Sequence, residues 1–271
     1  MRCTVRQLLI AAYVLLALQP ATVGAGEPPK RVMEVQGHRG ARHLLPGNTL
    51  AGFRYALEVG VDTIELDLAV TKDNRFVVIH DLYINGELCL APGRVRLAKE
   101  VAVRDLTLVE LKEYDCGALP AIDFPQQQSV PGEAIPTLSE VLELLSSSTA
   151  PAAGTVQLNI ELKGVPARTA LMPAPAESAR LLVDVLKKHD MLGRVIIQSF
   201  DHRNLVELKK LEPGLKISAL IGKSLPDLAA LATNLGAEVV SPNWEWITSA
   251  DVEALHGAGV RVIPWTANTP E

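Results

Sequence analysis

Short β-like runs alternate with amphipathic helical stretches along almost the whole chain, and this alternation constrains the fold more than any other feature. The runs are Val32–Gln36, Thr63–Val70, Phe76–Ile79, Val156–Leu162, Arg194–Gln198, Lys216–Leu220, Glu238–Val240 and Val260–Trp265. Helical periodicity falls between most of them: Leu50–Leu57, Thr137–Leu145, Glu177–His189, Asn204–Leu211, Pro226–Leu235 and Ser249–His256. Asn48 or Thr49 can cap the first helix and Gly60 end it; Thr137 and Glu140 form a capping box. Repeated βα units dictate a parallel sheet. Eight of them in 271 residues point to an α/β protein of the (β/α)8 TIM-barrel type. A doubly wound sheet is the alternative, but no GxGxxG or GxxxxGK[ST] follows a strand.

Two stretches interrupt the alternation. Residues 81–136 form an insertion after the third strand, with one clear helical piece, Leu106–Tyr114. Residues 164–176 are a Pro/Ala-rich connection. The eighth run is followed only by Thr266 to Glu271, so the expected barrel lacks its last helix, leaving Val260, Val262 and Ile263 uncovered.

The first 25 residues read as an export signal. Arg2 and Arg6 precede the apolar run Leu8–Leu18, Pro20 breaks it, and Val23-Gly24-Ala25 offers a cleavage site before Gly26. Export to a periplasmic or extracellular location, with no stable membrane anchor after cleavage, is the expectation. Cys89 and Cys116 then either form a disulfide or remain free thiols. A net charge of −5 and a pI near 5.7 argue against nucleic acid as a partner.

Polar residues gather where strands end. Glu65 and Asp67 are two apart, so they share one face of a strand while Ile64, Leu66 and Leu68 take the other. Asn159, Glu161 and Lys163 repeat the pattern. His38-Arg39 follow the first run, His80-Asp81 the third, and Gln198-Ser199 the fifth. In a barrel, the C-terminal ends of the strands converge on one mouth, where barrel enzymes work. Carboxylates inside a sheet are costly unless paired or metal-bound. Three of them with two histidines and two cations fit a metal-and-phosphate site.

The ordered set His38-Arg39-Gly40, Pro46-x-Asn48-Thr49-Leu50, Glu65-x-Asp67, His80-Asp81, Glu161-x-Lys163, Gln198-Ser199-Phe200 and Trp265-Thr266-x-Asn268 resembles the glycerophosphodiester phosphodiesterase family over about residues 34–268. Gly47 departs from the pattern, which usually has Glu there. The resemblance implies a (β/α)8 barrel and metal-dependent hydrolysis of small-molecule glycerophosphodiesters to glycerol 3-phosphate and an alcohol. It implies Glu65, Asp67 and Glu161 as ligands of one divalent metal, Ca²⁺ in preference to Mg²⁺. His38 and His80 become the acid–base pair, and Arg39, Lys163, Gln198 and Trp265 the phosphate and substrate contacts. Two alternatives stay open: a head-group hydrolase of the lysophospholipase D or sphingomyelinase D kind, and a non-catalytic glycerophosphodiester-binding protein. Few large apolar residues in 81–136 favour a small, soluble substrate. His43 is expected to be a loop or phosphate-edge residue without catalytic duty, and His189, His202 and His256 to be structural.

Overall fold

The computed structural model describes residues 34–266. The leader assigned to residues 1–25 lies outside them. The strands are β1 (Gln36–Gly37), β2 (Thr63–Val70), β3 (Phe76–Val78), β4 (Leu90–Ala91), β5 (Val95–Arg96), β6 (Gln157–Leu162), β7 (Val195–Ser199), β8 (Lys216–Ile221), β9 (Val239–Pro242) and β10 (Arg261–Val262). The helices are α1 (Leu50–Val59), α2 (Leu108–Leu111), α3 (Leu138–Ser147), α4 (Pro175–Lys188), α5 (His202–Leu211), α6 (Leu228–Leu235) and α7 (Ser249–Gly257). None of the described helices is long and apolar enough to cross a membrane.

Strands β1, β2, β6, β7, β8, β9 and β10 pair in that order, each parallel to its neighbours. This is the curled parallel sheet of a TIM-type barrel, wrapped by helices. The two ends of the sheet come together at two points. Arg261 forms an ion pair with Glu34, and the Thr266 hydroxyl lies 3.3 Å from His38 Nδ1.

The count of eight successive βα units needs correction. Phe76–Val78 is no barrel stave: it turns back and pairs antiparallel with the end of β2, Leu68 opposite Val78. A tight turn at Asp73-Asn74, with Asn74 at φ 59°, reverses the chain. The barrel thus has seven parallel strands among the described residues, and the insertion leaves from the hairpin. The helix expected over Leu106–Tyr114 shrinks to the single turn α2, capped by Thr107 and Glu110. The remaining helices follow their caps. Thr49 caps α1 through Gly52 N–H and Gly60 closes it at φ 83°; the Thr137–Glu140 box opens α3.

Both faces of the inner strands β2 and β7 are buried, for different reasons. Ile64, Leu66 and Leu68 are wholly buried outward against the helical layer, each contributing about 1.5–3 kcal/mol. The alternate residues point into the barrel and carry the polar site. In the insertion, Cys89 and Cys116 are joined in a disulfide, which settles the question their sequence left open. Asp115 beside it accepts from the N–H groups of Gly117, Ala118 and Gly132, so one buried carboxylate organises the following loop.

Candidate active site

Register builds the site. Asp67 on β2 lies opposite Glu161 on β6, and Glu65 lies opposite Asn159. Glu161 in turn faces Gln198 on β7. Inward alternation then stacks these side chains at the C-terminal end of the barrel. One oxygen from each of Glu65, Asp67 and Glu161 can be chosen so that all three lie within 4.8 Å of one another, and all three residues are buried.

Cations and amides hold this carboxylate cluster. Lys163 Nζ lies 2.8 Å from both Asp67 Oδ1 and Glu161 Oε1. Arg39 Nε lies 3.4 Å from Asp67 Oδ2, while Arg39 N–H donates to Glu65 Oε2 at 2.9 Å. Gln198 donates its amide to Glu65 Oε1 and accepts from Asn159 Nδ2, both at 3.2 Å. Its side chain therefore positions a carboxylate inside the barrel. Trp265 lies at the mouth, where its indole N–H donates to Ser241 O and its ring meets Phe200 edge-on at 5.7 Å.

The two histidines approach from different loops. His38 follows β1 in a turn closed by Gly40 N–H to Gly37 O, where a Cβ on Gly37 would lie 2.5 Å from Gly40 O. That contact with backbone requires glycine. His38 Nε2 lies 3.7 Å from Glu65 Oε2. His80 ends the β2–β3 hairpin, and its Nδ1 lies 2.7 Å from Asp81 Oδ1. Asp81 Oδ2 accepts from Asn85, so the carboxylate that steadies the imidazole is itself fixed.

Residues 38–271 match the glycerophosphoryl diester phosphodiesterase family. The chain belongs to that family. It is 35% identical over 241 residues to a glycerophosphodiester phosphodiesterase of Caldanaerobacter subterraneus subsp. tengcongensis, covering 88% of this chain and 86% of the relative. A crystal structure from Silicibacter pomeroyi DSS-3 superposes with a TM-score of 0.81 at 29% identity, over 88% of this chain and 84% of the other. An Oleispira antarctica phosphodiesterase, solved in complex with the product sn-glycerol-3-phosphate, has a TM-score of 0.70 at 25% identity, with coverage of 88% and 85%.

The electrostatics of the phosphodiesterase site show what its carboxylates lack. Burial, and then Asp67, push the Glu65 carboxyl well above its ordinary range. Burial pushes Glu161 up to about 7 despite Lys163, with Asp67 adding to the shift. Asp67 is the exception: burial opposes ionisation, but Lys163, His80 and Arg39 outweigh it and hold the group low. Lys163 is correspondingly raised, its burial overcome by Asp67 and Glu161. Two cations thus satisfy one carboxylate fully and leave two short of positive charge. An all-oxygen donor set with that deficit fits a hard divalent cation.

This imbalance has a measurable sign. Glu161 binds a proton more tightly folded than unfolded, so it opposes stability increasingly as pH rises from about 4.5 through about 7. His38 acts oppositely: burial, then Arg42 and Arg39, lower it to about 3, so its contribution to stability grows as pH rises towards 6.5. Glu161→Gln isolates the first effect. In EDTA its melting temperature should match wild type near pH 4 and exceed it above pH 7, by the equivalent of about 1–3 kcal/mol. A variant less stable than wild type at pH 8 in EDTA would contradict the charge deficit.

Sequence reasoning missed some parts of the site. Asn48, named as a candidate helix cap and within the Pro46-x-Asn48-Thr49-Leu50 motif but given no site role, sits at φ 59° and donates Nδ2 to Asp67 Oδ2 at 2.9 Å, while Thr49 takes the cap. Asn tolerates the left-handed region better than most residues, and that was its available signal. Arg42 had none. His43 is exposed and packs edge-on against Phe124, and His202 bonds Leu220 O, in keeping with structural roles.

Proposed function

We propose that this protein hydrolyses glycerophosphodiesters to sn-glycerol 3-phosphate and an alcohol. The observation that carries the reading is the convergence of Glu65, Asp67 and Glu161 with Lys163, Arg39 and two histidines at one end of the barrel. Glu65, Asp67 and Glu161 would hold one divalent cation, which when bound neutralises a phosphate oxygen and so offsets the repulsion that protects a phosphodiester. Ca²⁺ and Mg²⁺ both suit the donor set; export directed by residues 1–25 would favour Ca²⁺.

Arg39 and Lys163 orient the remaining phosphate oxygens, the guanidinium through its planar fork. His38 stays neutral because it is buried beside Arg42 and Arg39, which suits it to accept the proton of the attacking hydroxyl. That hydroxyl is the glycerol 2-hydroxyl or water. Asp81 fixes His80 through Nδ1 and leaves its other ring nitrogen to donate a proton to the departing alcohol. Asp81 is itself held below the usual range, first by that hydrogen bond, so it remains an acceptor for the protonated ring. Trp265 and Phe200 offer an apolar wall for the glycerol carbons.

The loop after β1 and the insertion meet near His38, where Arg42 rests on Phe124 and Gln127 Nε2 donates to Arg42 O. The Arg42 guanidinium and the Gln127 amide at this junction favour a soluble substrate over a lysolipid. Glycerophosphocholine should be turned over at least about tenfold more efficiently than lysophosphatidylcholine, a difference of about 1.4 kcal/mol. Preference for the lysolipid in a choline-release assay would move the assignment to the lysophospholipase D class. Binding of both without turnover would favour the non-catalytic alternative.

A further inference from the structure

Arg42 enters the mechanism above only through its field on His38 and is given no contact with the substrate. Arg39 and Lys163 each have a carboxylate partner at the centre of the site. Arg42 has neither an ion pair nor a side-chain hydrogen bond among the described residues, although it is half-buried. It is nonetheless held. Its guanidinium carbon sits 5.0 Å from the centroid of the Phe124 ring, and Phe124 is braced from another side by His43 at 5.6 Å. The backbone around it is tied down as well: Gln127 Nε2 donates to Arg42 O, and Gln128 N–H to Leu44 O. A guanidinium that rests its face on an aromatic ring keeps its N–H fork in plane for a ligand.

Its charge reaches the site. Arg42 lowers His38 and feels the fields of Glu65 and Asp67; exposed Asp123 contributes at a distance without forming an ion pair. Position 47 explains why nothing neutralises it. A Cβ on Gly47 would lie 3.0 Å from Arg42 Cβ and 3.3 Å from Arg39 Cβ, so this residue sits between the two arginine stems. An acidic side chain there would face both guanidinium groups; glycine supplies no countercharge.

We propose that Arg42, seated on Phe124 at the rim of the site, is a specificity residue that binds a second anionic group on the alcohol portion of the substrate. The favoured substrates are then glycerophosphodiesters whose head group carries a phosphate or carboxylate in addition to the scissile diester. The proposal rests on the phosphodiesterase reading above and narrows it to a substrate class. The scissile phosphate has its own cations in Arg39 and Lys163, which leaves Arg42 for a second anion.

A matched pair of compounds tests this: glycerophosphoinositol 4-phosphate and glycerophosphoinositol, which differ by one phosphate. Wild type should favour the phosphorylated compound in kcat/KM by about tenfold or more, the scale of one charge-assisted contact. Arg42→Gln should bring the ratio close to one. Gly47→Glu should do the same by pairing the arginines, while Gly47→Gln, equal in size, should keep the preference. A wild-type ratio of one or less, or a preference that survives Arg42→Gln, overturns the proposal. If neither compound is hydrolysed, the two stable compounds report the rim by calorimetry, and the phosphodiesterase reading itself fails only if glycerophosphocholine is not hydrolysed either. Tighter binding of the phosphorylated one that Arg42→Gln removes supports the arginine site, and equal affinities overturn it.

Discussion

Glu65→Gln and Glu161→Gln should each lower kcat/KM for a glycerophosphodiester by at least about 10³-fold, because a bound cation supplies several kcal/mol of transition-state charge stabilisation. Both variants should nevertheless fold, with an unchanged far-ultraviolet spectrum. The two carboxyls are the ones that burial pushes up, so neutral amides relieve a cost in the metal-free protein. Asp67→Asn should be equally inactive and also less stable. Asp67 is the anion on which Lys163, Arg39 and Asn48 converge, and removing its charge leaves buried cations poorly compensated. Three inactive variants with opposite effects on stability would separate the functional from the structural carboxylates. Undiminished hydrolysis by Glu65→Gln or Glu161→Gln would remove that residue from the cation site.

His38→Ala and His80→Ala should each lower turnover by about 10²–10⁴-fold, the range for general acid–base groups, while leaving cation binding intact. The pH profiles divide the roles. With His38 as proton acceptor, its removal should erase the acidic limb of the kcat profile. With His80 as donor, its removal should erase the basic limb. Asp81→Asn acts through the position of His80 and should lower kcat with little change in KM, since the imidazole loses the carboxylate that fixes it at 2.7 Å. Near-wild-type turnover in either histidine variant would exclude that residue from the reaction.

Much of the site was legible because a barrel converts linear spacing into proximity. Glu65 and Asp67 alternate with Ile64, Leu66 and Leu68, and β6 carries the same pattern, so parallel pairing puts all three carboxylates on the inner face, and the register sets Glu161 opposite Asp67. The apolar run Phe76–Val78 was misassigned because a short buried strand has no periodicity that names its partner. Only the turn at Asn74 decides that it pairs backwards. The piece Leu106–Tyr114 looked helical, yet its capping box starts one turn and no more. Asn48 and Arg42 were hidden for a related reason. The first depends on a left-handed backbone conformation, and the second on Phe124, remote in sequence and brought close by the insertion. Gln198 was placed correctly on its strand, but its contact with Glu65 depends on register across three strands.

The most direct test is to follow glycerophosphocholine by ³¹P NMR in the presence of the protein, with EDTA and then with excess Ca²⁺ or Mg²⁺. The account predicts that the diester resonance gives way to sn-glycerol 3-phosphate, directly or through a cyclic phosphate, that EDTA stops the conversion, and that a divalent cation restores it. A diester resonance that persists with either cation, or full conversion in EDTA, would contradict the account.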